Sequence, residues 1–317
     1  MAKYIPSQFI IDFEGTQNVD PASPTPYILN VNEDGIAATL STGVDDVIGG
    51  DFDNGGEPYN KTWDIAGSIK APMYYEQMGV YLKGLFGSSA PVDNTGSFTH
   101  TFSTVNCGTS MVFEGLMQDG CGAGSTLTKR YNGVFADTLA ISLSPDGDYM
   151  IDYGVKGGIY RDTLKDAITP LSVASAKTTG QTRIKNSHAS IKIDGVTYSL
   201  AKDFSLNISK AVEVDKLIGG DNQANDTRAE ISGSFSSLFD ADVYTKAVNS
   251  TPFAVQITMT NATETLVIDL GEVKFTFKDE PRQYGTKYPI NFDFTAYKNT
   301  GSEKALFTLT NQVSAQY

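Results

Sequence analysis

Two cysteines, two histidines and one tryptophan in 317 residues leave little material for most site chemistries. Cys107 and Cys121 are too few for a disulfide framework. Each is flanked by glycine or asparagine, as at a loop end, so two free thiols are expected, with one loop-closing bridge as the alternative. His100 and His188 have neither a second histidine nor the cysteines nearby for a zinc site. His100 lies in Phe98-Thr-His-Thr-Phe102 and is expected at the surface, on the face opposite the two phenylalanines. No GxSxG, HExxH, Walker A or GxGxxG pattern occurs, so no catalytic residue, cofactor or metal is assigned and the chain is read as no enzyme. Basic residues are also scarce: 24 Lys and Arg face 37 Asp and Glu, a net charge of −13. That balance argues against a surface that holds nucleic acid by neutralising phosphates, though not against one past which DNA slides. The amino terminus lacks the apolar core of a signal peptide and no run approaches the length of a bilayer span. Synthesis and folding in the cytoplasm, away from a membrane, are expected.

What is abundant points to β-structure. Hydrophobic residues make up 40% and charged residues only 19%, with many Gly, Thr, Ser, Phe and Tyr. Period-two alternation recurs. Residues 135–143 place Phe135, Leu139, Ile141 and Leu143 on one face, and Asp146-Gly147 then signals a hairpin whose return strand carries Tyr149, Ile151, Tyr153 and Val155. Residues 198–208 and 288–297 alternate likewise, and residues 189–193 run into a second turn signal, Asp194-Gly195. Two segments have helical periodicity. Residues 72–86 align Tyr74, Met78, Tyr81, Leu82 and Leu85, with Pro72 suited to the first turn. Residues 238–248 align Phe239, Val243 and Ala247.

The most informative feature is internal. Val44-Asp-Asp-Val-Ile-Gly-Gly-Asp51 matches Val214-Asp-Lys-Leu-Ile-Gly-Gly-Asp221 at six of eight positions. Ile65-Ala-Gly-Ser-Ile69 matches Ile231-Ser-Gly-Ser-Phe235, Val80-Tyr81-x-Lys83 matches Val243-Tyr244-x-Lys246, and Phe98 matches Phe253. Four matches in one order indicate a duplication. Each copy reads as a strand, a Gly/Asp/Asn-rich loop, a strand with Gly-Ser, a short helix and further strands. The aperiodic stretch 163–181, with Pro170, is the boundary, giving a first domain over 1–170 and a second over 171–317. Charge divides unevenly: residues 1–165 carry 20 acidic and 9 basic side chains, and residues 166–317 carry 17 and 15. The two loops, 43–60 and 215–226, are long and poor in core-forming residues. They are the candidate inter-subunit or inter-ring contacts, through Asp45, Ile48, Gly49, Gly50, Asp51 and Asp53 in the first and Asp215, Ile218, Gly219, Gly220 and Asp221 in the second. The run Asp51-Phe-Asp53-Asn-Gly55-Gly-Glu57 has half the pattern of a calcium loop, but Thr62 stands where the closing glutamate belongs, which excludes an EF-hand. The pairs Asp146/Asp148, Asp240/Asp242 and Asp279/Glu280 could serve glycoside hydrolysis, and nothing singles one out.

With Gly67-Ser68, the helix ending in Leu82-Lys-Gly-Leu-Phe-Gly87, residues 98–102 and 131–143, and in the second copy residues 199–209, Ile218-Gly-Gly-Asp221 and residues 229–235, the chain resembles the tail tube proteins of siphophages. The resemblance covers most of residues 25–300. It implies a mainly β fold: two tandem tail-tube-like β-sandwich domains, each with one short α-helix, whose strands contribute to an oligomeric β-barrel. It also implies a structural virion protein, made in the host cytoplasm, that polymerises into stacked rings around a DNA-conducting channel. Its partners would be other copies of itself, with tail tip, tape measure and tail terminator proteins at the ends, and double-stranded DNA would pass without specific binding. Two domains per chain suggest a trimeric, pseudo-hexameric ring, with a hexamer of whole chains as the competitor. The alternative readings are a cell-surface or secreted β-sandwich module that binds a glycan or a protein, and a glycoside hydrolase on a β-scaffold.

Overall fold

The computed structural model describes residues 4–44, 58–119, 126–145, 148–166, 168–171, 176–178, 182–218, 221–276, 289–299, 303–314 and 317. The first half contains β1 (Tyr4–Phe13), β2 (Tyr27–Ile28), β3 (Glu33–Asp34), β4 (Ala37–Gly43), β5 (Tyr59–Pro72), α1 (Tyr75–Phe86), β6 (Val92–Asp93), β7 (Phe98–Ser103), β8 (Met111–Asp119), β9 (Thr126–Leu143), β10 (Met150–Lys156) and β11 (Ile159–Asp162). After β12 (Lys177–Thr178) and a 3-10 turn at Asn186–His188 follow β13 (Ala189–Ile193), β14 (Val196–Thr197), β15 (Ala201–Ser209), β16 (Glu213–Asp215), β17 (Gln223–Asn225), β18 (Glu230–Leu238), α2 (Ala241–Val248), β19 (Phe253–Thr260), β20 (Thr265–Thr276), β21 (Pro289–Tyr297) and β22 (Leu306–Asn311).

Strand pairing follows one plan twice. In the first half the neighbours run β4, β5, β10, β9, β8, β1, β2, all antiparallel. In the second they run β15, β18, β21, β20, β19, β13, β14, again all antiparallel. The amino-terminal part of β9 takes β11 as an extra partner, and that of β20 takes β22. The Gly-Ser match has one structural cause in both halves. A Cβ on Gly67 would lie 2.1 Å from the carbonyl oxygen of Gly35, and one on Gly233 would lie 2.1 Å from that of Ser205, so each glycine admits the backbone of the strand beside it. The match of Phe98 with Phe253 joins strands with different surroundings. Phe98 opens β7, which pairs with β6 and β22, whereas Phe253 opens β19, which pairs with β13 and β20. The β6–β7 ribbon is thus an addition to the first half.

Besides the short parallel pairing of β12 with β2, two antiparallel pairings join the halves. β7 lies against β22, and the carboxy-terminal part of β9 lies against β15, from Phe204 opposite Leu143 to Ser209 opposite Thr138. The second pairing makes a continuous antiparallel path of eight strands: β4, β5, β10, β9, β15, β18, β21 and β20. No barrel closes among the described residues of one chain; the path has two ends, β4 and β20. The layered, antiparallel arrangement is that of a β-sandwich.

Alternation decides which side of this sheet is dry. Leu139, Ile141, Tyr153, Phe204, Leu206, Ile208, Ile231, Phe235, Phe292 and Phe294 are buried on one face, where aromatic pairs such as Phe275 with Phe292 (4.8 Å between centroids) and Phe204 with Phe294 (5.4 Å) interlock. The expected strands over 135–143, 198–208 and 288–297 form at β9, β15 and β21. The Asp194-Gly195 turn forms with φ of 50° and 79°, the positive pair a two-residue hairpin requires. Asp146-Gly147 lies outside the described residues.

The helices differ in detail from the expectation. α1 begins at Tyr75, and Pro72 ends β5 instead of opening the helix. It is buried on nearly every side, with Tyr75, Met78, Tyr81, Leu82, Leu85 and Phe86 inaccessible, because sheet from both halves covers it. α2 begins at Ala241, where Asp240 caps the amides of Asp242 and Val243. Val243 and Ala247 are buried, but Phe239 precedes the helix and is half exposed. His100 corrects the surface expectation. Period two puts it on the same side of β7 as Phe98 and Phe102, and it is fully buried, its ring 4.6 Å from that of Tyr317 and its Nε2 3.0 Å from the carbonyl of Val313.

A buried polar clamp fixes the chain that follows β1. Arg130, 2% exposed, donates from Nε and Nη2 to Glu114, from Nη1 to Asp20 and from Nη2 to the carbonyl of Thr169. Beside it Glu14 accepts from the amide of Gly133, from Asn132 Nδ2 and from the Ser110 hydroxyl. These bonds satisfy charges that burial would otherwise penalise heavily.

Candidate functional site

Three surface features have shapes that invite a partner: an unpaired strand edge, a polar sheet face, and a loop that crosses from one half to the other. The edge is that of β4. It pairs on one side with β5, and among the described residues nothing pairs with its other side. Its counterpart β15 is covered on both sides, by β18 and by β9. An open edge is a template for another strand.

The solvated face of the eight-strand path is made of small polar side chains. Ser142, Ser205, Ser234 and Asp293 form one row across β9, β15, β18 and β21, and Ala140, Asn207, Ser232, Thr295 and Lys274 form the next, ending on β20. The hydroxyls of Ser205 and Ser234 are 2.7 Å apart. Charges on this face are few and mostly acidic: Asp64, Asp152, Asp203, Glu230, Glu272 and Asp293 against Lys70, Lys156 and Lys274. It offers no basic surface on which a polyanion would be trapped.

The crossing loop is the ribbon β16–β17 with its flanks. Of the sequence-derived contact residues, Asp215 lies in β16, and Asp215, Ile218 and Asp221 are all exposed, Ile218 completely. Asp45, Ile48, Gly49, Gly50, Asp51, Asp53, Gly219 and Gly220 lie outside the described residues, as does the calcium-like run 51–57. The base of the ribbon is laid onto the first half of the same chain. Asn222 donates to the carbonyl of Trp63 at 2.6 Å and accepts from Asn18 at 2.9 Å. Lys216 pairs with Asp64 at 2.7 Å, and Lys156 donates to the carbonyl of Val212 at 2.9 Å. Ala224 is buried against Gly157, where a Cβ would come within 2.5 Å of it. At the root of the ribbon the buried ammonium of Lys210 sits 3.1 Å from Asp226 and donates to the carbonyl of Asn106, while Asp226 also accepts from the amide of Gly108. Sequence reasoning missed Asn222, Lys210 and Asp226. Asn222 lies 159 residues from Trp63, Lys210 104 from Asn106 and Asp226 118 from Gly108, and no local pattern marks them.

No three His, Cys, Asp or Glu side chains converge as metal ligands among the described residues. Cys107 is an exposed free thiol, and Cys121 lies outside the described residues. Among the described residues no helix is long and apolar enough to cross a membrane.

Comparison with known families decides what these surfaces belong to. The family model described as phage tail tube protein matches residues 7–296, nearly the whole chain. The chain belongs to the phage tail tube protein family. No curated protein matches it. As a tail tube protein it is a structural component of the phage tail, and the mainly β fold with its two short helices is the architecture the sequence resemblance implied. The match also spans both halves, so the open β4 edge and the polar sheet face lie within the part of the chain that the family describes.

Proposed function

We propose that this chain is the tube subunit itself, that three copies close into one ring, and that stacked rings form the channel through which DNA leaves the virion. The observation that carries the reading is the junction of β9 with β15. There the first half ends a four-strand block and the second half begins one. The eight-strand path begins at β4, the counterpart of β15, and ends at β20, the counterpart of β9. β20 of one copy therefore meets β4 of the next with the same antiparallel polarity as β9 meets β15 within the chain. Such head-to-tail contacts close into rings when the rotation fits. Closure removes the exposed edge of β4, which would otherwise invite uncontrolled pairing. In this reading the two halves, 1–170 and 171–317, are two copies of one tube domain occupying quasi-equivalent positions.

Three chains supply twenty-four strands. Strands about 4.8 Å apart and tilted about 40° give a circumference of about 150 Å and a backbone diameter of about 48 Å, room for duplex DNA after the side chains are subtracted. The face that lines the channel is the polar one, with Ser142, Ser205, Ser234 and Asn207 presented to water. The dry face, with Phe204, Phe292 and Phe294, is already buried inside the subunit. A lumen of small hydroxyls with few and mostly acidic charges lets phosphates pass without being held. The subunit does no chemistry; tail tip, tape measure and terminator proteins are its partners at the ends of the tube.

Electron microscopy of the purified protein, with mass per ring, tests this reading. Tubes with three chains per ring are expected; six chains per ring overturn the ring model, and discrete particles overturn tube formation. Proline scanning of the edge adds a local test. Of Ala38→Pro and Thr39→Pro, one removes an amide facing β5 and the other an amide facing the open edge, since amides alternate along a strand. The second keeps the fold and abolishes rings. Rings formed by both variants would show that β4 is not the joining edge.

A further inference from the structure

The docked ribbon on the first half has an empty counterpart on the second. Trp63 and Ala229 hold the same position, two residues before the matched Ile65 and Ile231. The carbonyl of Trp63 accepts from Asn222 of the ribbon. The carbonyl of Ala229 instead opens into a cleft of about 510 Å³, lined by Lys210, Arg228, Lys298 and Lys304, where it accepts from Lys304 Nζ at 2.6 Å. Among the described residues no segment lies across this cleft.

The cleft is cationic in a protein whose net charge is −13. Lys210 is neutralised by Asp226, and Arg228 approaches only the exposed Glu230, at 3.6 Å. Lys298 is exposed with no carboxylate paired to it among the described residues. Burial, and then the nearby Arg228, hold the Lys304 ammonium below the usual lysine range, a sign that positive charge is crowded here. The ribbon's counterpart in the first half is residues 44–57, where Val44 to Asp51 matches Val214 to Asp221. That segment carries Asp45, Asp46, Asp51, Asp53 and Glu57 and no lysine or arginine.

We propose that residues 44–57 of one copy dock across the Arg228–Lys298–Lys304 cleft of the neighbouring copy. The inference rests on the head-to-tail ring reading and specifies the side chains that lock it. The chain geometry selects the donor. Within one chain, the loop of the β15–β18 hairpin lies on the half whose β9 pairs with β15. By the same relation the loop of the β4–β5 hairpin lies on the half whose β20 pairs with β4, and that half belongs to another copy. Charge selects it as well. The ribbon already docked on the first half meets the exposed Asp64 through Lys216, whereas the segment 44–57 is purely acidic and the surface awaiting it is basic. Opposite fields at this seam speed association of the correct edges and disfavour a first half meeting a first half.

A charge-reversal set tests the lock. Arg228→Glu with Lys298→Glu reverses the cleft and leaves the Lys304 bond to Ala229 intact; Asp51→Lys with Asp53→Lys reverses the segment. Each double variant should unfold at the wild-type temperature yet need at least about tenfold more protein to form rings. The four changes together should restore assembly to near the wild-type concentration. Double variants that assemble like wild type, or a combined variant that is not restored, overturn the proposal while leaving the ring reading intact. A synthetic peptide of residues 44–57 provides a readout that does not depend on rings. It should bind the full-length proline variant that stays monomeric, lose that binding when Arg228 and Lys298 are reversed, and resist competition by a short DNA duplex. Absence of peptide binding, or displacement by DNA at matched charge, would count against residues 44–57 as the occupant.

Discussion

A methyl group at Gly233 probes the strand approach on which both halves are built. The added Cβ would lie 2.1 Å from the carbonyl oxygen of Ser205 and 2.4 Å from the ring of Phe294, where ordinary contact begins at 3.4 Å. The phenyl ring can tilt, but the carbonyl belongs to the β15 backbone, so the β15–β18 ladder must open by about 1.3 Å at that point. That displacement takes an adjacent N–H···O bond beyond bonding distance. One or two ladder bonds are lost, at about 1 kcal/mol each, and overpacking against Phe294 adds about 1–2 kcal/mol. Gly233→Ala should therefore cost about 2–4 kcal/mol in equilibrium urea unfolding, read as a lower midpoint at unchanged slope. Gly67→Ala should behave alike, since the atom in its way is again a backbone carbonyl, that of Gly35. Gly15→Ala is the control: nothing lies within 4 Å of its Cβ, and a change within about 0.5 kcal/mol is expected. A Gly233→Ala protein as stable as the Gly15→Ala control would refute the claim that these glycines are kept for close strand approach.

Two further outcomes follow from buried charge. Arg130→Met leaves the Glu114 carboxylate, 3% exposed, without its cation; a loss of about 3–5 kcal/mol is expected, partly recovered by adding Glu114→Gln, and a loss under about 1 kcal/mol in the single variant would contradict the account. Glu264 sits with its carboxyl raised above the usual 4.5, first by burial and also by the facing Glu76. Its contribution to stability is therefore full below pH 4.5 and fades as pH rises through the raised folded value. Glu264→Gln should accordingly stabilise the fold near neutral pH and confer less advantage in acid, which melting temperatures from about pH 4 to 8 would reveal; a stabilisation independent of pH would exclude this origin.

The edge amides, the glycine contacts and the buried clamp act on different links of one chain of cause. Gly67 and Gly233 let the matched strands approach, the approach sets the four-strand block, and the block repeated twice leaves β4 and β20 as the two ends of the eight-strand path. Arg130 and Glu14 hold the segment after β1 over β9, against which the second half then lays its ribbon through Asn18 and Asn222.

Much of this was legible in the chain because it depends on near neighbours. Period two over residues 135–143, 198–208 and 288–297 fixes which side of each strand is dry, since successive side chains must point to opposite faces. Asp194-Gly195 determines its turn because only such residues take two positive φ values cheaply. The paired Gly-Ser and Ile-Gly-Gly-Asp motifs carried the repeat, and the family followed from the order of short motifs. Tertiary structure decided the rest, where the partner of a residue lies far along the chain. Alternation put His100 on one side of β7, but only β22 and the ring of Tyr317, more than two hundred residues away, made that side the interior. Phe239 has the spacing of a helix face, yet the Asp240 cap starts the helix after it and leaves it half exposed beside Tyr244. Nothing local told that Asn222 would bond Trp63, or that Arg228, Lys298 and Lys304 would converge. Those placements depend on which strand edges meet, and edges are chosen by the pairing of the whole sheet.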